Sequence, residues 1–231
     1  MTIKRRLAPK PLKDENFVAY TALKKFGPRL AWILRHNAPS LGIYIKPDGY
    51  ALAEDVLKIG IFKRMPLSNL KALCKLDTVS RIEWKEREPN EWWVRATGQH
   101  TIKFIDPSRK EIVDARKLKK IVYVAELDEW DRIQKQGIRP AEDEHLIKLS
   151  KAIPDPIEYS LSGRESSSLI VIHIDIEKSM QNGLGFYVTL NETDGIVTDG
   201  GVDGFIPSTL FRKVERLEWS SHALGSESTK S

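Results

Sequence analysis

Apolar residues between positions 17 and 36 recur every three or four residues, which predicts a helix with one buried face. The apolar positions are Leu23, Phe26, Leu30, Ile33 and Leu34. Pro28 lies inside this stretch, and proline is favoured only in the first turn of a helix. We therefore expect either two helices or one helix that begins near Pro28.

The pattern after residue 37 predicts helices followed by a β-hairpin. The expected elements are a short strand at 43–45, a turn at 47–49, helices at 52–59 and 67–76, and strands at 79–85 and 91–96. Pro47, Asp48 and Gly49 favour the turn, because proline fixes φ and the other two residues accept a tight backbone. Helices followed by a two-stranded wing are typical of a winged-helix lobe, a common nucleic-acid-binding architecture.

Beyond Pro107 the pattern changes to short strands with few helices. The expected elements are a strand at 121–125, a helix at 127–136 that ends at Gly137, a β-branched buried strand at 169–176, and shorter strands at 185–190, 195–198 and 205–207. We therefore predict an α+β protein. Its parts are a flexible basic arm (1–16), a first lobe (17–106), a β-rich second lobe (107–219) and a disordered tail (220–231).

Composition narrows the class of protein. The chain has 231 residues and 41% of them are hydrophobic, so a packed core can form and disorder throughout is excluded. No apolar run reaches the roughly 18–20 residues that span a bilayer, and no apolar secretory segment opens the chain. We expect a monomer without membrane contact that is intracellular, in the cytoplasm, the nucleus or both. Cys74 is the only cysteine, so neither a disulfide scaffold nor a cysteine-rich metal site is predicted.

The distribution of charge is more informative than the net charge of +5. Residues 1–116 carry 23 Lys and Arg against 13 Asp and Glu, a net charge of +10. Residues 117–231 carry 14 against 19, a net charge of −5. A basic half joined to an acidic half suggests that one lobe contacts a polyanion such as nucleic acid. Ordinary scatter among solvated charges is the alternative explanation.

The first candidate site is the pair Arg35 and His36 at the predicted end of a helix. A guanidinium fork beside a titratable imidazole could bind a phosphate. Both side chains could instead complement the negative end of the helix dipole. The local sequence leaves both interpretations open.

The second candidate site follows the hairpin strand that ends near Arg95. Gln99 and His100 come after a turn at Gly98, and a cation, an amide and an imidazole at one strand end also suit an anionic ligand. The tryptophans at 92 and 93 could stack on bases, or they could pack in the core.

Three blocks of the sequence resemble the NAD-dependent RNA 2′-phosphotransferase family. The first block consists of Leu30–Pro39 and Asp48–Leu57, which resemble the family pattern L-R-H-x-P followed by D-G-W/Y and a hydrophobic helix. Arg95–Thr101 resembles its R-A-x-Q-G-H-S block, and Val171–Phe211 resembles its closing region. The resemblance extends over roughly residues 22–216 with the spacing preserved.

The resemblance implies a winged-helix lobe followed by an ADP-ribosyltransferase-like lobe that binds NAD as co-substrate. It also implies a reaction in which an internal RNA 2′-phosphate, left at a tRNA splice junction, is transferred to NAD. The products would be ADP-ribose cyclic phosphate and nicotinamide. Arg35, His36 and Arg95 would be catalytic and hold the 2′-phosphate, with Gln99 and His100 as further contacts to the phosphate or the RNA.

The same resemblance assigns the NAD contacts to Tyr123, His145, Asn191 and Gly195. Tyr123 stands where the family has a histidine that contacts NAD. His145 is what remains of the family's H-x-H pair.

Three departures from the family pattern bear on catalysis. Besides Tyr123, Asp143 stands where the family has its last catalytic arginine, and Gly98 and Gln99 are transposed relative to the family's Q-G. An acidic residue at an anion-binding site inverts the local field, although Arg139, four residues earlier, could act as a substitute. The alternative function is therefore a catalytically silent relative that binds RNA or a 2′-phosphate without turnover.

Overall fold

The structure is a computed structural model, and it describes residues 25–77, 81–153, 155, 168–188 and 195–218. The basic arm predicted at 1–16, the tail predicted at 220–231 and the candidate residue Asn191 lie outside these described residues. The chain divides into two compact units, one that ends at Pro107 and one that begins at Ser108.

The first unit combines helices with a three-stranded antiparallel sheet. Its first helix, here named the α/π helix, covers residues 25–37 and changes from α-helical to π-helical at Ile33–Asn37. The other elements are a 3-10 turn at Pro39–Leu41, β1 at Ala51–Leu52, α1 at Ala53–Leu57, α2 at Leu67–Leu76, β2 at Ile82–Glu86 and β3 at Trp92–Ala96. Strand β3 lies in the centre of the sheet, between β1 and β2.

The α/π helix buries the apolar face that its sequence pattern predicts. Leu30 and Leu34 are completely buried in one core with residues from α1, α2 and β3. In the described part of the chain the helix continues through Pro28 without a break into two helices. Phe26 and Leu30, on either side of Pro28, pack into the same core, and this packing favours one continuous helix over a break at the proline.

The chain between the α/π helix and β1 reverses at the predicted turn. The Gly49 amide donates to the Lys46 carbonyl over 2.8 Å, and Gly49 has a φ of +84°, which glycine adopts without strain. The strand predicted at 43–45 is wrong, because only Ile45 forms a bridge, to Ala51. The Ile43 amide donates to the Ala38 carbonyl over 3.0 Å, and on the other side α1 begins at Ala53, so the ladder does not extend away from the turn. The helix predicted at 67–76 and the hairpin are confirmed.

The second unit contains two antiparallel sheets and few helices. Its strands are β4 Lys110–Glu111, β5 Val122–Glu126, β6 Ile147–Leu149, β7 Ser168–Ile174, β8 Tyr187–Val188, β9 Ile196–Thr198 and β10 Phe211–Glu218. Its helices are α3 Trp130–Gln136 and α4 Ile176–Gln181, with 3-10 turns at Ala115–Lys117, Leu127–Glu129, Gly201–Asp203 and Ser208–Leu210. One sheet has the order β10-β7-β5 and the other β4-β8-β9-β6.

The three-stranded sheet of the second unit is built around the predicted β-branched strand. Strand β7 lies in its centre, and Leu169, Val171 and Ile172 are completely buried. Strand β10 was not predicted, since charged residues at this sheet edge obscure the alternation that marks a strand. The strand predicted at 205–207 is reduced to a single bridge between Ile206 and Ile138.

The α+β class is confirmed, with antiparallel pairing in every sheet of the described ranges. Among the helices described, none combines the length and the apolar character needed to cross a membrane.

Candidate functional site

The candidate site of the first unit is built at the π-helical end of the α/π helix. Arg35 and His36 lie in this π turn and are half-buried. A π turn inserts one residue into the helical repeat and frequently occurs at functional sites. The Thr101 amide donates to the Arg35 carbonyl over 3.0 Å, so the loop after β3 is fastened to the end of the helix. The sequence predicted two separate candidate groups here, and the structure joins them.

Arg35 has a guanidinium that is only partly satisfied by the protein. One terminal nitrogen donates to the Thr97 carbonyl over 2.9 Å, and the other lies 3.4 Å from the Gln99 side-chain oxygen. Its Nε is buried without a hydrogen-bond partner among the described residues. A buried donor without a partner costs about 1–3 kcal/mol. Each terminal nitrogen also has a second N–H that neither Thr97 nor Gln99 uses, so the half-buried guanidinium keeps donors and a positive charge that suit a negatively charged ligand.

His36 is oriented by a neighbour on the same loop. Its Nδ1 lies 3.0 Å from the Thr101 hydroxyl oxygen, and its ring lies 6.2 Å from the ring of Trp32, centroid to centroid. The Thr101 hydroxyl can donate or accept, so it can accompany either the neutral or the protonated imidazole. The contact holds the ring beside Arg35 and leaves the Nε2 edge for a ligand.

His100 lies close to the same cations. Its Nε2 lies 3.0 Å from the Ala96 carbonyl, which can only accept, so Nε2 carries the proton of the neutral ring. Burial lowers the pKa of His100, and the positive charges of Arg35, His36 and Arg95 lower it further. Four residues chosen from the sequence are thus brought within electrostatic reach of one another. His100 Nδ1 is buried without a partner in the described part of the chain.

Arg95 is held more completely than Arg35. Two of its nitrogens contact the Glu83 carboxylate at 2.6–2.7 Å, and the third donates to the carbonyls of Asp48 and Pro107 at 3.0 and 3.1 Å. Its guanidinium also lies 4.7 Å from the centroid of the Tyr50 ring. The side chain is 18% exposed. Arg95 therefore supplies positive charge to the site while it ties β3 to β2 and to the turn before β1.

Sequence reasoning missed three residues that shape this site. Thr97 and Thr101 position Arg35 and His36, and both lie inside the R-A-T-G-Q-H-T run, so the signal was present. Glu83 occupies two nitrogens of Arg95, and only the β2–β3 register, which places Glu83 opposite Arg95, identifies it.

A pH dependence of stability follows from the burial of His100. Its pKa is lower in the folded than in the unfolded protein, so the unfolded chain takes up the proton more readily. The contribution of neutral His100 to stability is complete above about pH 6.5 and is lost as the pH falls. We expect the drop in thermal midpoint between about pH 7.5 and about pH 5.5 to be smaller in His100→Asn than in the wild type. An unchanged drop, measured by circular dichroism, would contradict this assignment.

The residues assigned to NAD lie in the second unit. Tyr123, on β5, is half-buried, and burial raises its pKa, with smaller contributions from the charges of Glu129 and Glu144. Glu144 immediately precedes His145, which is exposed. Gly195 is half-buried and immediately precedes β9. The loop before β6, residues 141–145, therefore lies close enough to Tyr123 for the charge of Glu144 to act on it.

The loop that contains Asp143 is acidic and exposed. Asp143 has a φ of +65°, a left-handed conformation that aspartate tolerates better than most residues. Glu144 is paired with Lys148 at 2.6 Å. Arg139, the possible substitute for the family's arginine, lies over the Phe205 ring at 4.6 Å. The loop therefore presents net negative charge near Tyr123.

The fold and the site define a two-unit α+β protein with a cluster of cationic side chains at a π-helical turn. A family model described as the RNA 2′-phosphotransferase, Tpt1 / KptA family matches residues 22–200. The chain belongs to this RNA 2′-phosphotransferase family.

Similar proteins carry corresponding names. A putative tRNA 2′-phosphotransferase of Schizosaccharomyces pombe is 30% identical over 193 residues, which cover 84% of this chain and 51% of the relative. The tRNA 2′-phosphotransferase 1 of Danio rerio is 24% identical over 82% of this chain and 84% of its own length. The tRNA 2′-phosphotransferase 1 of Homo sapiens is 23% identical over 92% of this chain and 81% of its own length. The chain thus spans about half the length of the fission-yeast relative and most of the two vertebrate ones.

Proposed function

We propose that the protein removes a 2′-phosphate from RNA, with tRNA as the substrate and NAD as the acceptor of the phosphate. The observation that carries the proposal is the partly satisfied Arg35 guanidinium beside His36. Family membership supports the reaction type, and the names of the relatives support tRNA as the substrate.

Each unit has features that support a separate role. In the first unit, helices precede a hairpin whose sheet has the order β1-β3-β2, and this arrangement supports a winged-helix lobe that binds RNA. In the second unit, two antiparallel sheets support an ADP-ribosyltransferase-like lobe.

The chain's own residues would act mainly by positioning and by electrostatic stabilisation. A phosphate monoester carries about two negative charges at neutral pH. Arg35 would contact the phosphate oxygens through the remaining N–H groups of its terminal nitrogens and fix the orientation of the phosphate, because a guanidinium donates in a planar fork. His36, held by Thr101, would donate from Nε2 as negative charge moves between the phosphate oxygens during transfer. Arg95 would add positive charge near the phosphate, whereas the lowered pKa of the buried His100 leaves its ring neutral near pH 7.

The second unit fits only part of an NAD molecule. Tyr123 offers a half-buried aromatic ring, which suits a flat heterocycle. Asp143 and its acidic neighbours oppose the charge of the pyrophosphate. NAD would supply the ADP-ribosyl group that accepts the phosphate, and we expect its binding to be weakened by this loop.

Removal of one negative charge from the loop tests this expectation. Asp143→Asn keeps a residue that tolerates the left-handed backbone at this position and removes the charge. A unit charge at short range in water is worth about 1 kcal/mol, so we expect the KM for NAD to fall about fivefold. Asp128→Asn is the matched control, since Asp128 is an exposed aspartate of the same unit that lies outside the loop at 141–145. Equal KM values in both variants would contradict this role of the loop.

The proposed reaction is tested directly with a 2′-phosphorylated oligoribonucleotide. We expect the protein and NAD together to yield dephosphorylated RNA, nicotinamide and ADP-ribose cyclic phosphate, separable by liquid chromatography and mass spectrometry. No product is expected without NAD. Absence of product at micromolar enzyme, with preferential binding of the 2′-phosphorylated RNA retained, would instead indicate the catalytically silent relative.

A further inference from the structure

Trp32 is the most exposed large apolar residue among those described in the first unit. Its exposed fraction is 55%, compared with 42% for Leu41 and 41% for Ile61. Tryptophan is among the largest apolar side chains, so this exposure leaves a broad aromatic face in contact with water. A single exposed apolar residue needs no explanation by itself, and its meaning depends on what lies next to it.

The other described tryptophans are accounted for by packing. Trp84 and Trp92 stack on each other at 4.6 Å, and Lys71 lies 3.4 Å from the centroid of the Trp92 ring. Trp93 is buried and carries Lys46 at 3.9 Å over its ring, and Trp130 packs against the core of the second unit. All four are therefore less exposed than Trp32.

Trp32 lies outside the core that its own helix helps to form. Its neighbours Ala31, Ile33 and Leu34 are buried in the core of the first unit, and Trp32 is not part of that core. Burial in this core therefore does not account for so large an apolar residue at this position.

The position of Trp32 relative to the phosphate-binding candidates is specific. It precedes His36 by four residues on the same helix, a separation that places two side chains on one face. The ring centroids are 6.2 Å apart and the planes are inclined by 53°. Trp32 therefore lies at the edge of the Arg35–His36 site, on the side of His36.

We propose that Trp32 forms a stacking subsite for a nucleobase of the RNA next to the 2′-phosphate. This inference rests on the proposed function. In a 2′-phosphorylated nucleotide, the base is bonded to C1′ of the ribose and the phosphate to the adjacent C2′, so a phosphate held at His36 keeps its base nearby. The base of the nucleotide on the 3′ side is the second candidate for the base that stacks on Trp32. Stacking on an indole face tolerates any base, which suits an enzyme that reads a phosphate and not a sequence.

Binding without NAD tests the subsite independently of catalysis. The probes are fluorescein-labelled oligoribonucleotides with one internal 2′-phosphate, with all bases present, with the phosphorylated nucleotide abasic, or with its 3′ neighbour abasic. Fluorescence anisotropy gives Kd for the wild type, Trp32→Leu, Trp32→Phe and the control Ile61→Ala. We expect Trp32→Leu to weaken binding of the intact RNA about tenfold. Trp32→Phe should lose less affinity for the intact RNA than Trp32→Leu, and Ile61→Ala should have the Kd of the wild type.

The abasic RNAs separate stacking from a structural effect on His36. If Trp32 stacks on a base, its replacement by leucine should change Kd less than about twofold for the abasic RNA that lacks this base, because the interaction is already missing. The RNA on which the effect disappears identifies which of the two nucleotides supplies the base. An equal loss on all three RNAs, an equal loss for Leu and Phe, or no loss on the intact RNA would overturn the proposal. A wild type that does not prefer 2′-phosphorylated RNA would instead contradict the proposed function.

Discussion

Arg35→Ala is expected to lower the rate of 2′-phosphate removal by about a thousandfold or more, because loss of one transition-state cation costs this much in phosphoryl transfer. The reason lies in the geometry of the side chain. Thr97 and Gln99 fix the guanidinium through one N–H of each terminal nitrogen, and the second N–H of each remains for an anion. Arg35→Lys keeps the charge but not the fork, so we expect an intermediate loss. Single-turnover rates with saturating NAD measure the effect.

Binding measurements distinguish a specific phosphate contact from general attraction of RNA. Arg35→Ala should weaken binding of 2′-phosphorylated RNA more than binding of the unmodified RNA. Arg29→Ala is the matched control, since Arg29 is an exposed arginine on the same helix without an ion pair to another described residue. We expect Arg29→Ala to have a small and equal effect on both RNAs. If Arg35→Ala behaves in the same way, Arg35 is a general contact to the RNA backbone.

Gly137→Ala is expected to lower the free energy of unfolding by about 3 kcal/mol or more. Gly137 ends helix α3 with φ of +75° and ψ of −179°, a backbone region that is open essentially to glycine alone. A Cβ there would overlap the carbonyl oxygen of Ile206 and come within 2.8 Å of the Phe205 ring. Relief of this overlap would break the Ile138–Ile206 bridge, in which two backbone hydrogen bonds of 2.8 Å are made.

Gly183→Ala is the control for the conformational part of this effect. Gly183 lies in the same unit with a φ of +84°, but a Cβ there would meet no atom within 4 Å. We therefore expect a loss of only about 1 kcal/mol in this variant. Urea unfolding followed by fluorescence compares the two variants. Similar losses would show that backbone strain alone, and not the contact with Ile206, makes glycine necessary at position 137.

Much of the fold could be predicted because it depends on neighbours in the sequence. Helix α2 occupies the predicted residues 67–76, and the strand at 169–176 was recognised from its run of β-branched residues, although it ends at Ile174 and Ile176 begins α4. The elements that were missed lack such local signals. Strand β10 lies at a sheet edge, where most of its charged side chains are exposed, so its sequence lacks a clear alternation. It is a strand because it pairs with β7 over its length. The segment around Ile206 is shortened to one bridge, since its partner at Ile138 follows the helix end at Gly137.

The candidate phosphate residues were chosen from their chemistry, but their grouping was not visible in the sequence pattern. Arg35 and Gln99 are 64 positions apart, and His36 and Thr101 are 65 apart. Their approach depends on the π turn and on the hydrogen bond that fastens Thr101 to Arg35. Arg95 was expected to hold the phosphate directly, but Glu83 and two backbone carbonyls already accept hydrogen bonds from all three of its nitrogens. The catalytic and NAD-binding roles remain predictions for the experiments above.

The sequence by itself determined the α+β class, the helices with one apolar face, the hairpin and the identity of the cations, because periodicity and side-chain chemistry are local properties. Tertiary structure alone decided which of those cations have unsatisfied donors. Arg35 retains a buried Nε, whereas Arg95 is enclosed by Glu83 and the carbonyls of Asp48 and Pro107. The physical reason is that hydrogen-bond satisfaction depends on strand register and on long-range packing, which bring partners together from distant parts of the chain. The same packing leaves Trp32 exposed beside His36.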